Sequence, residues 1–323
     1  MILYGITKSQ NQRNTLPHRY QFFIKTIDNK TVTNCDEVKQ EYICVPLKDR
    51  NWGTYVVAPK YKLNVCVIGK NFSTMLIAMI CYLFNSKKYK NYHRSFAYEK
   101  WNKRSCIRKN EGNSFLKVSK KFSSHIKSPI LENFIEDWNH LLVVRDPIER
   151  FLSGYVHFCA NNTKDNECFG CKNDMICFVE RLYDDIVTTV KTDEWASLHL
   201  MNHFYPQSWM CQVTKYYNKY TIIKYSSDKD ETTKFYNEIL EYLKKHNVSS
   251  GKINFIKKQF SNKVPHTTVD TKERNLYKKQ LEDNDYIKDM LSRIYFSDFK
   301  LFNYSLPELK NYQDAIGSKN VTN

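Results

Sequence analysis

Glycine is scarce in this chain, with eight among 323 residues, which predicts few places where backbones approach too closely for a side chain. Internal repeats, linkers rich in proline and serine, and low-complexity tracts are absent. That leaves one domain with insertions as the simplest organisation for this length. Long apolar runs are absent too. The longest, Met75 to Phe84, is about half of the roughly 20 residues that span a bilayer, and it reads as a core helix. The opening Met1-Ile-Leu-Tyr-Gly-Ile-Thr-Lys8 carries no signal-peptide pattern. Acidic residues are in the minority, 34 against 50 basic ones, for a net charge of +16. A surface of that sign gathers anionic partners and speeds their encounter. Nucleic acid is one such partner, and Lys215-Tyr-Tyr-Asn-Lys219-Tyr220 interleaves cations with stacking rings. No RNA-recognition, helix-turn-helix or zinc-finger pattern supports that reading.

What the sequence does contain is a core-forming composition, 41% hydrophobic and 15% aromatic, and two strand-to-helix turns. In the first, Leu63-Asn-Val-Cys-Val-Ile68 reads as a strand, Gly69-Lys70-Asn71-Phe72-Ser73-Thr74 as a loop and Met75 to Phe84 as a helix. A lysine and hydroxyls at a helix N-terminus can cradle a phosphate together with backbone N–H groups. The loop is not a Walker A loop, which needs Gly at position 64 and Ser or Thr at 71; both are Asn. In the second turn, Leu141-Leu-Val-Val-Arg145 reads as a buried strand and Pro147 opens a helix. Arg150 and Ser153 follow three apart on one face. This spacing predicts a guanidinium, a hydroxyl and a helix N-terminus converging on one anion, and a phosphate suits it. The competing reading is a salt-bridge cluster around an ordinary turn. The predicted fold class is α/β, a central parallel sheet flanked by helices, with ligands at the carboxyl ends of the strands. Further strands are expected at Tyr20–Lys25 and Glu41–Val45, and amphipathic helices at Asp174–Val190, Thr232–Lys245 and Thr271–Ile294.

The run Arg145-Asp-Pro-Ile-Glu-Arg150-Phe-Leu-Ser153-Gly-Tyr155 resembles the motif with which sulfotransferases hold the 3′-phosphate of 3′-phosphoadenosine 5′-phosphosulfate (PAPS). Its longer form resembles Golgi carbohydrate sulfotransferases of the chondroitin 4-O type. His203-Phe-Tyr-Pro206-Gln207-Ser-Trp-Met-Cys211 is similar to their His-x-x-Pro-Gln…Cys segment, and Tyr295-Phe-Ser-Asp298-Phe-Lys-Leu-Phe302-Asn-Tyr304 to their closing segment. The likeness runs from about residue 58 to residue 304. It implies a P-loop-like sulfotransferase fold in residues 56–310, with an N-terminal extension at 1–55 and a tail at 311–323. It also implies PAPS as sulfuryl donor, with no metal required, and an anionic, chondroitin-like or related glycan as acceptor. Lys70 would stabilise the bridging oxygen as the sulfuryl group leaves. Asn71, Ser73 and Thr74 would lie at the 5′-phosphate; Arg145, Arg150 and Ser153 would fix the 3′ end. The family usually carries Pro beside this lysine, whereas Gly69 here predicts a softer loop. A location in the Golgi lumen or secretory pathway follows from the same likeness, with membrane association only through an anchor outside this sequence.

Sulfuryl transfer needs a base near the acceptor hydroxyl and cations along the leaving phosphate. His203 is the first choice of base because of its motif, against a structural role beside Pro206. His125 lies between the two phosphate elements, His140 is too close to the strand to act, and His157 shares the Ser153 face with packing as its simpler role. A silent homologue that binds nucleotide or glycan without turnover is the alternative function.

Ten cysteines complete the picture, with Cys159, Cys168, Cys171 and Cys177 crowded after the Ser153 helix. Their spacing does not form paired zinc knuckles and favours disulfides in an oxidising compartment. Connectivity stays open, with Cys211 a further member of that set. Sequons at Asn29, Asn71, Asn161, Asn247, Asn303 and Asn320 are compatible with a lumenal setting, Asn71 being expected to stay unmodified. The runs Lys87-Lys-Tyr-Lys90 and Lys117-Val-Ser-Lys-Lys121 are candidates for a basic rim.

Overall fold

A computed structural model describes residues 24–27, 30–33, 44–50, 52–91, 95–99, 101–160, 168–194, 197–260 and 271–309. Strands β1 (Ile24–Ile27) and β2 (Lys30–Thr33) pair antiparallel on their own. From β3 (Thr54–Ala58) the chain passes through residues 59–62 into β4 (Leu63–Val67), then α1 (Ser73–Phe84), α2 (Ser86–Asn91) and the edge strand β5 (Glu111–Gly112). Helices α3 (Phe115–Lys121) and α4 (Ile130–Asp137) lead to β6 (Asn139–Arg145), α5 (Pro147–Phe158), α6 (Met175–Thr192), α7 (Leu198–Phe204) and α8 (Val213–Tyr216). Strand β7 (Tyr220–Tyr225) is followed by α9 (Lys229–Lys245), α10 (Ser250–Phe260), α11 (Lys272–Glu282), α12 (Asp285–Ile294) and α13 (Phe296–Leu301).

The main sheet has the order β5-β3-β4-β6-β7. Its three strands β4, β6 and β7 are parallel, as the sequence predicts, but β3 runs antiparallel to both β4 and β5. The connection at 59–62 is far too short for a crossover, which takes a dozen or more residues. Strand side chains alternate between faces. Leu141 and Val143 pack with Val56, Val65 and helices α1, α9 and α10. Leu142 and Val144 pack with Tyr55, Cys66 and helices α5, α6 and α12. Cover on both faces explains why β6 reads as an unbroken apolar run. It also means that α1 and α5, which leave the adjacent parallel strands β4 and β6, depart to opposite faces. That divergence opens a crevice at the carboxyl ends of the two strands, where open α/β sheets bind ligands.

Several expectations change in detail. The helix expected over Thr271–Ile294 is two helices, because Asn284 caps α12 by accepting from the Ile287 N–H at 3.1 Å. Of Tyr20–Lys25, residues 20–23 lie outside the described residues, and Ile24 and Lys25 belong to β1. Of Glu41–Val45, residues 41–43 lie outside the described residues, and Val45 donates its N–H to the Arg293 carbonyl rather than joining a sheet. Strand β3 begins at Thr54, so a division at 55/56 falls within it. Glycines are few, yet those at 69 and 154 both sit where a Cβ would collide, with the Asn202 carbonyl and the Phe204 ring respectively.

Candidate functional site

The loop after β4 is held from inside by two of its own residues. Lys70 and Phe72 adopt left-handed φ values of 70° and 60°, which folds the loop tightly over the end of β4. The Phe72 ring packs among Tyr225, Phe235, Tyr236 and Phe260, with centroids no farther than 5.7 Å. The buried Asn71 amide donates to the Val143 carbonyl at 3.0 Å and to Gln207 Oε1. Asn71 therefore braces the loop and turns away from the crevice. Helix α1 then starts with Phe72 in the N-cap position, no side-chain cap and no acid in its first turn. Its first ladder bond is Leu76 N–H to the Phe72 carbonyl. The N–H groups of Ser73, Thr74 and Met75 thus lie outside the ladder at the positive end of the helix dipole. Ser73 is half-buried and Thr74 exposed there.

Two arginines grip this loop from the β6 side. Arg145, the last residue of β6, donates through Nη1 to the Lys70 carbonyl (3.2 Å), through Nε to Glu149 Oε2 (3.2 Å) and through Nη2 to Ser227 Oγ (2.7 Å). A guanidinium has five N–H donors, so donors remain for an anion. Arg150 donates through Nε to the Gly69 carbonyl (3.1 Å), through Nη1 to the Tyr205 carbonyl (2.8 Å) and through Nη2 to the Asn202 carbonyl (3.3 Å). Its three bonds all go to backbone carbonyls, so it braces the loop from within the fold. Ser153 is buried one helical turn beyond Glu149 on α5. The N-terminus of α5 is closed by its own Asp146, which accepts from the Ile148 and Glu149 N–H groups. The open helix terminus of the site is that of α1. Gly69 does not soften the loop: Asn202 and His203 of α7 lie against it, and a proline would clash as any Cβ does.

Lys70 faces Phe158, with Nζ 4.5 Å from the ring centroid. Burial, reinforced by Arg145 and Arg150, lowers its pKa to about 7. His203 packs on the same Phe158 ring at 4.3 Å and lies against the Gly69 backbone. Its Nδ1 lies 2.7 Å from the His199 carbonyl and must donate to it. The Nε2 lone pair is thereby left to accept a proton. Burial, with Lys70 nearby, lowers the His203 pKa to about 3, so the ring is neutral at physiological pH. Lys70, Arg145, Arg150 and His203 therefore meet around one loop. The other histidines do not join them. His140 is buried between Asn64 and the Phe134 carbonyl, while His125 and His157 are exposed.

Residues that the sequence reading left without a role complete the site. Gln207 is the hub: Oε1 accepts from the Arg145 N–H, Nε2 donates to the Arg145 carbonyl, and its own N–H donates to Asp298. Asp298, fully buried, also accepts from the Ser208 N–H at 2.8 Å. Both lie in the quoted motif segments, so their presence was visible but their bracing role was not. Glu149 accepts from Arg145 and Ser227; burial pushes its carboxyl up, and Arg145 and Ser227 outweigh that to hold it below its ordinary value. Ser227 had only a helix-cap signal, the Ser226-Ser-Asp228 run before α9.

The crowded cysteines pair as Cys159–Cys168 and Cys171–Cys177, with a further bridge at Cys81–Cys106. Cys211 does not join that set. It bonds Cys66 of β4, because the Gln207 segment runs back over the sheet beside Trp52. Lys87 and Lys88 line a surface cavity of ≈ 360 Å³ with Asn85 and Asn91. It lies at the far end of α1, about 18 Å of helix away from Ser73, and so is no part of this site. Tyr216 packs at a tilt against Phe115, Tyr217 donates to the Leu301 carbonyl and Tyr220 is buried, so all three rings have partners within the fold.

Residues 53–305 match the family described as "Sulfotransferase family". The chain belongs to that family. Among curated proteins of Caenorhabditis elegans, it is 27% identical over 314 residues to carbohydrate sulfotransferase chst-1, covering 93% of this chain and 92% of that one. It is 31% identical over 263 residues to putative sulfotransferase vep-2, covering 78% and 77%. It is 28% identical over 258 residues to uncharacterized protein C18B2.2, covering 79% and 70%. No solved structure matches the chain. Membership implies a sulfuryl donor and accounts for the α/β architecture. The family match begins at the start of β3 and ends with the closing Tyr304 segment, so it takes in the Lys70 loop, the Arg145 turn and the Gln207–Asp298 brace together.

Proposed function

We propose that the chain transfers the sulfuryl group of PAPS to a hydroxyl of a carbohydrate, with an anionic glycan of the chondroitin or a related class as acceptor. The observation that carries this reading is the meeting of Lys70, Arg145 and the open N-terminus of α1 around one loop. Those groups fit a nucleotide with phosphates at both ends. Lys70 is half-buried beside an aromatic ring and two arginines, which lower its pKa to about 7, and a negative group beside it favours its charged form. The relative named a carbohydrate sulfotransferase supports a carbohydrate acceptor, and the net charge of +16 suits a polyanion.

In this reading the Ser73 and Thr74 N–H groups and hydroxyls bind the 5′-phosphate, and Arg145 with Ser153 binds the 3′-phosphate. PAPS supplies an activated sulfuryl group whose departure leaves adenosine 3′,5′-bisphosphate. The acceptor oxygen forms the new O–S bond as the bridging S–O bond breaks, and the acceptor proton passes to His203 Nε2. Lys70 offsets the charge that grows on the bridging oxygen, the electrostatic contribution that removes most of such a barrier. Disulfides at four described pairs support folding in an oxidising compartment. Asn247 and Asn303 are exposed sequon positions compatible with the secretory pathway, whereas Asn71 is buried. Among the described residues no helix is long and apolar enough to cross a membrane.

The test is transfer of label from radioactive PAPS to desulfated chondroitin and related polymers by the purified chain. Wild type is expected to label one of them, and Lys70→Ala to lower kcat by about 10²–10³-fold, the usual cost of losing such a group, with a smaller effect on PAPS binding. Nucleotide binding without transfer to any glycan marks a silent homologue. An unchanged rate in Lys70→Ala contradicts the role given to the loop.

A further inference from the structure

At the end of α1 remote from Ser73, two cavities lie side by side. One, of ≈ 360 Å³, is lined by Asn85, Lys87, Lys88 and Asn91. The other, of ≈ 120 Å³, shares Asn85 and Lys88 with it and adds Phe84, Ser105 and Lys109. Together they make one trough between the α1–α2 corner and the turn that carries Lys109. That turn is firmly held. The Cys81–Cys106 bridge fastens it to α1, the Lys109 N–H donates to the Cys106 carbonyl at 2.9 Å, and the Ser105 N–H donates to Glu99 at 2.7 Å. Lys109 is exposed and Lys88 half-buried. Lys88 stands close enough to lower the Lys109 pKa through a side-chain hydrogen bond and through its charge. Two ammonium groups so placed repel one another. The sequence around them does not balance the charge: residues 81–110 contain nine lysines and arginines and a single acid, the buried Glu99. The negative end of the α1 dipole favours a cation nearby, but it gives no reason for holding two against each other.

We propose that this trough binds charged sugar units of an anionic glycan and so holds the acceptor polymer on the protein, away from the reacting hydroxyl. This inference rests on the anionic-glycan part of the reading above. The lining sets the chemistry of the occupant. One sulfate or carboxylate between Lys88 and Lys109 turns their repulsion into two charge-assisted hydrogen bonds. Asn85 Oδ1 accepts from the Lys88 N–H at 2.9 Å, which leaves the Asn85 amide N–H groups, with Asn91 and the Ser105 hydroxyl, for sugar hydroxyls. The half-buried Phe84 supplies the apolar surface that such sites combine with a few polar groups. The trough and the Lys70 loop lie at opposite ends of α1, about 18 Å of helix apart. A polymer can therefore engage both, and a short oligosaccharide only one.

The experiment is calorimetry of the full chain with polymeric chondroitin sulfate, and with adenosine 3′,5′-bisphosphate as a second ligand; neither titration needs turnover. Wild type and the double variant Lys88→Ala/Lys109→Ala are compared, each with its melting temperature. The trough predicts that the double variant binds the polymer about tenfold or more weakly, from the loss of two charged hydrogen-bonding partners, and binds the bisphosphate like wild type. If the double variant melts early, Lys109→Glu at the exposed position carries the decision: loss confined to the polymer supports the trough, while unchanged polymer binding or equal loss for both ligands overturns it. A folded double variant that binds the polymer like wild type, or that loses both ligands alike, also overturns it, with the transfer reading intact. A wild type that does not bind the polymer, or that binds polyuridylate equally well, overturns the glycan as occupant and the proposal with it. Polymer binding that depends on the two lysines, in a chain that transfers no label from PAPS to any glycan, supports the trough and contradicts the transfer reading.

Discussion

At the scale of single residues, the site is built on one lysine kept short of charge. Lys70 has its pKa lowered to about 7 by burial and by Arg145 and Arg150. At pH 8 it is therefore mostly neutral in the free protein. A bound phosphate favours the ammonium form and raises that pKa again. Binding of adenosine 3′,5′-bisphosphate at pH 8 is thus expected to take up close to one proton. Affinity should fall as pH rises from about 7, because the proton must then be drawn from solution. Calorimetry in two buffers of different ionisation enthalpy reads the proton count directly, and Lys70→Met should abolish it. No uptake in wild type contradicts the assignment. His203, with a pKa of about 3, stays neutral across this range and does not confuse the count. The lysine was legible in the sequence as a loop cation before a helix, but its depressed pKa was not. That depends on two arginines 75 and 80 residues downstream in the chain, numbered 145 and 150, and on Phe158, none of which periodicity relates to Lys70.

At the scale of elements, the crevice exists because β4 and β6 are neighbours and their helices part to opposite faces. The strand-to-helix turns at 63–84 and 139–158 were legible because apolar runs, Pro147 and polar loop residues mark them strongly. The brace behind them was not. Gln207 joins Asn71, Arg145 and Asp298, four segments that come together only in the folded chain. Likewise Arg150 looked like a ligand from its spacing with Ser153, yet its guanidinium is directed to the carbonyls of Gly69, Asn202 and Tyr205. Gln207→Ala leaves the Arg145 N–H and the Asn71 amide without this partner in a buried place. A loss of about 1–3 kcal/mol is expected, the cost of the unmet Arg145 N–H, since the Asn71 amide keeps the Val143 carbonyl, with a parallel loss of nucleotide affinity. Denaturant unfolding checks the first and calorimetry the second. Unchanged stability in Gln207→Ala contradicts its role as hub.

At the scale of the whole molecule, charge, cross-links and fold point to one setting. The Cys66–Cys211 bridge closes a separation of 145 residues and fastens the Gln207 segment to the central strand β4. A cross-link over so long a loop is worth about 2–5 kcal/mol by its effect on the unfolded chain, and it keeps the brace beside the strand that carries the phosphate loop. The excess of basic residues points to an anionic ligand but gives it no location. The ≈ 360 Å³ cavity beside Lys87 and Lys88 lies at the opposite end of α1 from the site. The proposed function takes Lys70, Arg145 and the open N-terminus of α1 as the groups that hold a nucleotide phosphorylated at two positions. It is tested most directly by calorimetry of the purified chain with adenosine 3′,5′-bisphosphate, beside ATP and an Arg145→Ala variant. The account predicts binding that is selective over ATP and weakened at least tenfold in the variant, or about 1.4 kcal/mol. A folded protein that binds ATP as well as the bisphosphate, or neither, contradicts it.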